Sequence, residues 1–125
     1  MNMNEFVKQY NGIASRALAF NEKAKREGLL ALEDEIDQEK VDCRDIFEYG
    51  MRFTVDGTDT EVIRDILSNI IAQEKDEHER LLKTIQQEAV LLIQQGEHPR
   101  IMLSWLNSYT NLTLKEDEVL SKYLE

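Results

Sequence analysis

The residues that could do chemistry are few, and their spacing limits what they could do. Glu74 and His78 stand one helical turn apart in Glu74-Lys75-Asp76-Glu77-His78-Glu79, close enough on one helix to share a metal ion. The di-iron bundle signature needs Glu-x-x-His, however, and Lys75 occupies the place of that glutamate. A solvated helical face is the plainer reading of so charged a stretch. His98 precedes Pro99 in a loop with no second ligand nearby, and reads as a capping or surface residue. Cys43 follows acidic residues that disfavour a thiolate, and is expected to be a small buried apolar side chain. The chain contains no phosphate-binding glycine loop, nucleophile elbow or paired metal motif. The expectation is a non-enzyme with no catalytic residue, no metal site and no cofactor.

Charge gives a better lead. The 125 residues carry 25 acidic and 15 basic side chains, for a formal charge of −10. Such a chain repels phosphate backbones, which argues against nucleic acid and bare anionic membrane as partners. The first 32 residues are net +2 and the remainder net −12. Glu33 to Glu48 holds eight carboxylates against Lys40 and Arg44, next to the basic cluster Lys23, Lys25 and Arg26. The plain reading is a solvated helix end. The sharper one is a protein-binding surface of Lys23, Lys25, Arg26 and Glu33, meeting complementary charge on a partner. On a continuous helix Lys25 and Glu33 would lie a little over two turns apart on a similar face.

The elements that would position these residues are helices. One proline, five glycines and 42% apolar residues favour an all-α bundle of four to five helices, within one domain spanning 1–125. Phe6, Tyr10, Ile13, Ala17, Phe20 and Ala24 draw an apolar seam along a first helix capped near Asn4. The seam shifts to Leu29, Leu32 and Ile36, with Gly28 expected inside the helix. A second helix is expected over about 42–54, with Cys43, Ile46, Phe47 and Met51 inward, ending at the turn Val55-Asp56-Gly57-Thr58-Asp59. No glycine or proline interrupts Val62 to Gln95, so the spacing predicts one very long central helix of about 50 Å. Gly96 and Pro99 then end that helix and start the next, and a short last helix is expected over about 115–124. The longest apolar run, Ala89 to Ile93, is far shorter than the roughly 18–20 residues of a membrane span. A single cysteine excludes an internal disulfide. A soluble, cytoplasmic protein is expected.

Three stretches resemble a known family. Lys23-Ala24-Lys25-Arg26-Glu27-Gly28-Leu29-Leu30-Ala31-Leu32-Glu33 is similar to the "ARxEGLLALE" block that opens the large cytoplasmic segment of the MotA flagellar stator family (the MotA/TolQ/ExbB proton channel family). Phe53-Thr54-Val55-Asp56-Gly57-Thr58-Asp59-Thr60-Glu61-Val62-Ile63-Arg64 resembles the family's "VVDGTDPEVVR" block. Gln94-Gln95-Gly96-Glu97-His98-Pro99-Arg100-Ile101 resembles its "QxGxNPRxI" block. The three occur in family order.

The resemblance divides the chain into a first cytoplasmic block at 1–72, a junction at 73–87 where the family has two membrane helices, and a carboxy-terminal block at 88–125. Without channel-lining helices it implies no ion conduction by this chain. In the family, charged residues flanking the first block's glycine contact the rotor switch protein FliG, which by position implicates Lys25 and Glu33. The use of lysine for the family's arginine keeps the charge and loses the bidentate fork. The implied function is a non-enzymatic motor-associated protein that binds the rotor switch protein or modulates stator assembly, at the motor beside the inner membrane. The alternative is a helical adaptor that keeps the scaffold for a non-motility partner. An uninterrupted central helix would also force the carboxy-terminal arm onto a second chain, giving a swapped homodimer, whereas a bend within Gln73 to Arg80 would allow a monomeric bundle.

Overall fold

The computed structural model describes residues 1–111, and within them the chain is all helical. The helix expected over 115–124 lies outside the described residues. Asn2 starts α1, Met3–Glu27: its side-chain oxygen accepts from the Glu5 amide at 2.9 Å, two residues earlier than the expected cap at Asn4. Phe6, Tyr10, Ala17 and Phe20 are buried as their spacing predicts, joined by Ala14 and Leu18.

Gly28 ends α1 and does not continue it. With φ +94° and ψ 158° it adopts a conformation open essentially to glycine alone, and the chain turns there into a 3₁₀ helix, Leu29–Glu35. That helix folds back on α1, so Lys23 Nζ and Glu35 Oε1 come within 2.7 Å. Leu32 and Ile36 still face the core, now from a reversed chain.

Helix α2, Ile46–Val55, begins later than expected because Asp45 caps it, accepting from the Glu48 amide. Asp42 instead closes a turn with the Arg44 amide and guanidinium. Cys43 lies in that turn and is exposed, which overturns its expected burial. Ile46, Phe47 and Met51 are buried as expected.

The long central helix is divided. Helix α3 spans Thr60–Ile71 and α4 spans Glu77–Gln94. The polar residues between them satisfy each other in place of a helical ladder. Asp76 accepts from the Glu79 amide at 2.9 Å and caps α4. Arg80 donates to the Glu74 carbonyl at 2.8 Å, and Lys83 pairs with the Glu74 carboxylate at 2.8 Å. The bend lets α4 return beside α3, so the carboxy-terminal arm reaches its own bundle. A swapped dimer is not needed to close this fold.

Helix α4 is the axis of the bundle. It packs against α1, α2, α3 and α5, and Ala89 to Ile93 is buried on every side. Gly50 of α2 lies so close to it that an added Cβ would stand 2.9 Å from both Val90 methyls. Helix α5, Pro99–Asn107, buries Met102, Leu103 and Leu106 and leaves Ile101 and Trp105 half exposed. The buried Tyr10 hydroxyl donates to Asn107 Oδ1, fastening the start of α1 to the end of α5.

Candidate partner-binding surface

Hydrogen bonds between elements define two ends of the bundle. At one end the His78 ring nitrogen Nδ1 lies 3.2 Å from the Met1 carbonyl and its ring lies against Phe6, so the chain start and the α3–α4 turn are neighbours. At the other end Asn21 Nδ2 donates to the Glu97 carbonyl at 2.7 Å. There too Gln94 donates to the Thr58 carbonyl at 2.7 Å and accepts from the Thr60 hydroxyl at 2.8 Å. The three motif blocks, distant in sequence, therefore meet at a single end of the molecule.

The charged residues expected to bind a partner all lie at that end, in unequal states. Lys23 is tied to Glu35, and this hydrogen bond holds its ammonium pKa above the ordinary lysine value. Arg26 is held by Glu27 at 2.9 Å and Glu22 at 2.5 Å, which raise its pKa further. Lys25 is exposed and has no ion pair among the described residues. Glu33 is exposed, with only a long 3.5 Å contact from Gln38. Lys25 and Glu33 thus carry the uncommitted charge, but not from a common helical face, because Gly28 turns the chain between them.

Two features of the surface are not in the charge pattern. Leu30 is 67% exposed, on the 3₁₀ helix between Gly28 and Glu33. An open cleft of about 140 Å³ lies between the ends of α1 and α4, lined by Ala24, Lys25, Leu29 and Ile93 with the Gln94–Gly96 turn. Leu30 could have been found from the seam: Leu29, Leu32 and Ile36 leave it on the outer side. The cleft has no local signal, since its walls come from residues about 70 positions apart.

The other candidate residues have structural employment. The helix break falls between Glu74 and His78, which turn to Lys83 and to Met1 with Phe6, so they do not form the paired site that one helix would give. Among the described residues no group of three His, Cys, Asp or Glu side chains could hold a metal. His98 caps α5 as expected, accepting from the Arg100 amide at 3.1 Å. Among the described residues no helix is long and apolar enough to cross a membrane.

The chain is similar to proteins named Motility protein A. It is 40% identical over 80 residues to the one from Treponema phagedenis, covering 63% of this chain and 29% of that protein. It is 45% identical over 58 residues to the one from Borreliella burgdorferi, covering 46% of this chain and 21% of that protein. The chain thus spans less than a third of the length of either relative. No protein-family model matches the chain, and no solved structure matches it. These matches support a MotA-like relationship and a connection with motility.

Proposed function

We propose that this chain is a non-enzymatic, motor-associated module that binds the rotor switch protein FliG or modulates stator assembly, and conducts no ions itself. The observation that carries the reading is the polarity of the bundle. The three blocks that resemble the MotA family gather at one end, through Asn21, two residues before the first block, and through Gln94, Thr58 and Thr60. The chain start and the α3–α4 turn, where the family's chain joins its membrane helices, sit together at the opposite end. Such an arrangement presents Lys25 and Glu33 away from the membrane side, as a rotor-facing surface requires. Location at the motor, beside the inner membrane, follows from the same reading.

A binding titration against the carboxy-terminal domain of FliG, at low and high salt, tests it. Salt-sensitive association is expected, because exposed charges steer encounter and are screened as ionic strength rises. Absence of binding at any salt, with the helical spectrum intact, would move the chain to the adaptor reading, in which the scaffold serves a partner outside motility.

A further inference from the structure

We infer that the face of α2 formed by Tyr49, Arg52 and Phe53 is a second contact surface, where the Arg52 guanidinium receives one carboxylate side chain of a partner protein. This deepens the proposed function by naming a contact beyond Lys25 and Glu33, and it rests on that reading only for the identity of the partner.

The chain builds one device twice and completes it once. Arg16 lies over the Phe20 and Phe47 rings, 5.2 and 4.7 Å from their centroids, and its guanidinium is paired with the Glu48 carboxylate. Arg52 lies over the Tyr49 and Phe53 rings, at 5.0 and 4.9 Å, and those two rings meet edge to face with centroids 4.8 Å apart. Its side chain has no hydrogen bond or ion pair among the described residues, and its Nε is buried without an acceptor. Ring faces attract the cation, whereas the planar fork of N–H groups is matched by a carboxylate. The carboxylates one turn away on α2 do not fill that place. Glu48 is committed to Arg16, and Asp56 makes no ion pair with Arg52.

Placement supports a contact. Gly50 faces the bundle axis at Val90, and Arg52, two residues on, is turned by about 200° from it around the helix. Tyr49, Arg52 and Phe53 are all half-buried. A guanidinium already held between rings loses little freedom on binding, and Arg and Tyr are prominent among the residues that carry binding energy at protein interfaces. The Phe53 carbonyl accepts from the Thr58 amide at 3.0 Å, and the Thr58 carbonyl from Gln94 at 2.7 Å, so the patch adjoins the end where the motif blocks gather.

Charge then selects the occupant. Asp56, exposed one turn from Arg52, and the net charge of −10 oppose a phosphate or a polyanion. A lone Asp or Glu side chain brings a single charge. Because Nε is covered, its carboxylate meets the guanidinium end-on, at Nη1 and Nη2. Apolar residues beside that Asp or Glu then lie against the Tyr49 and Phe53 rings.

The test follows the Arg52 side-chain Nε–H resonance, which burial protects from exchange, as blocked Leu-Glu-Leu and Leu-Gln-Leu tripeptides are added to the full chain at millimolar concentration. Leu-Glu-Leu should shift this resonance at low salt and lose most of the effect at high salt, and Leu-Gln-Leu should leave it in place. The FliG carboxy-terminal domain is then titrated with Arg52→Gln and Arg52→Lys. Arg52→Gln should weaken its binding roughly fivefold. Arg52→Lys, which keeps the charge without the planar fork, should recover only part of the loss. A purely structural arginine would lower the urea midpoint of Arg52→Gln and leave the affinity unchanged. That result, or an equal or absent response to the two peptides, would overturn the patch and leave the function standing. Peptide shifts at Arg52 with no FliG binding by the unsubstituted chain would remove the proposed function and keep the patch.

Discussion

Gly28 and Lys25 lie three residues apart and do different work, one shaping the surface and the other charging it. At Gly28 an added Cβ meets no atom within 4 Å, so sterics with neighbours do not forbid a side chain. The backbone does, because φ +94° with ψ 158° is strained for any L-residue. Gly28→Ala is expected to lower stability by about 1–3 kcal/mol, read from the urea midpoint at constant m-value. Gly50→Ala should cost a similar amount, about 1–3 kcal/mol, for the opposite reason: its backbone is unstrained and its space is taken by Val90. The basic residues rank just as plainly. Lys25→Ala should reduce partner binding more than Lys23→Ala or Arg26→Ala, whose charges are already matched by Glu35, Glu22 and Glu27. Equal losses from all three in one titration series would mean that the internal ion pairs open on binding.

At the scale of elements, the α3–α4 turn is held by ionised groups on both of its sides. The Glu79 amide, donating to Asp76, holds that carboxyl below its ordinary pKa, and the Lys83 ammonium does the same for Glu74. Each is a carboxylate whose folded pKa is depressed. Each therefore contributes stability above its unfolded value, near 4, and loses it as pH falls through the folded value. Asp76→Ala should lower the unfolding midpoint at pH 7, and the gap to the unsubstituted chain should narrow below about pH 4. A gap that stays constant down to pH 2 would remove the cap from the account. The same turn shows what sequence reading can and cannot supply. The apolar seams of α1, α3 and α4 were legible because one buried face imposes a 3.6-residue period, and the Gly96–Pro99 boundary was legible because glycine readily takes the positive φ that ends a helix and proline, with φ fixed and no amide hydrogen, suits the first helical position. A bend within Gln73 to Arg80 is legible as an alternative to one long helix; the absence of glycine and proline favours the continuous helix, while Asp76 followed by Glu79 is the start signal that marks the break. Gly28 was misplaced because the apolar seam resumes beyond it, and periodicity does not register a reversal of the chain that keeps the same side inward.

For the molecule as a whole, the candidate surface was legible in type and not in arrangement. Lys25 and Glu33 could be singled out by charge and by resemblance. That Asn21, Thr58, Thr60 and Gln94 bring all three motif blocks to one end is a tertiary fact, made by contacts between residues 34 to 76 positions apart. The central claim is that this end, and not the end near His78, faces a partner in the motor. It is tested most directly by charge reversal at both ends in one FliG titration at low salt. Lys25→Glu and Glu33→Lys alter the gathered-motif end, and Glu77→Lys, exposed beside the α3–α4 turn, alters the other. The account predicts weaker binding for the first two, by roughly fivefold or more, with little change for the third. Equal weakening by Glu77→Lys, or none from Lys25→Glu and Glu33→Lys, would contradict it.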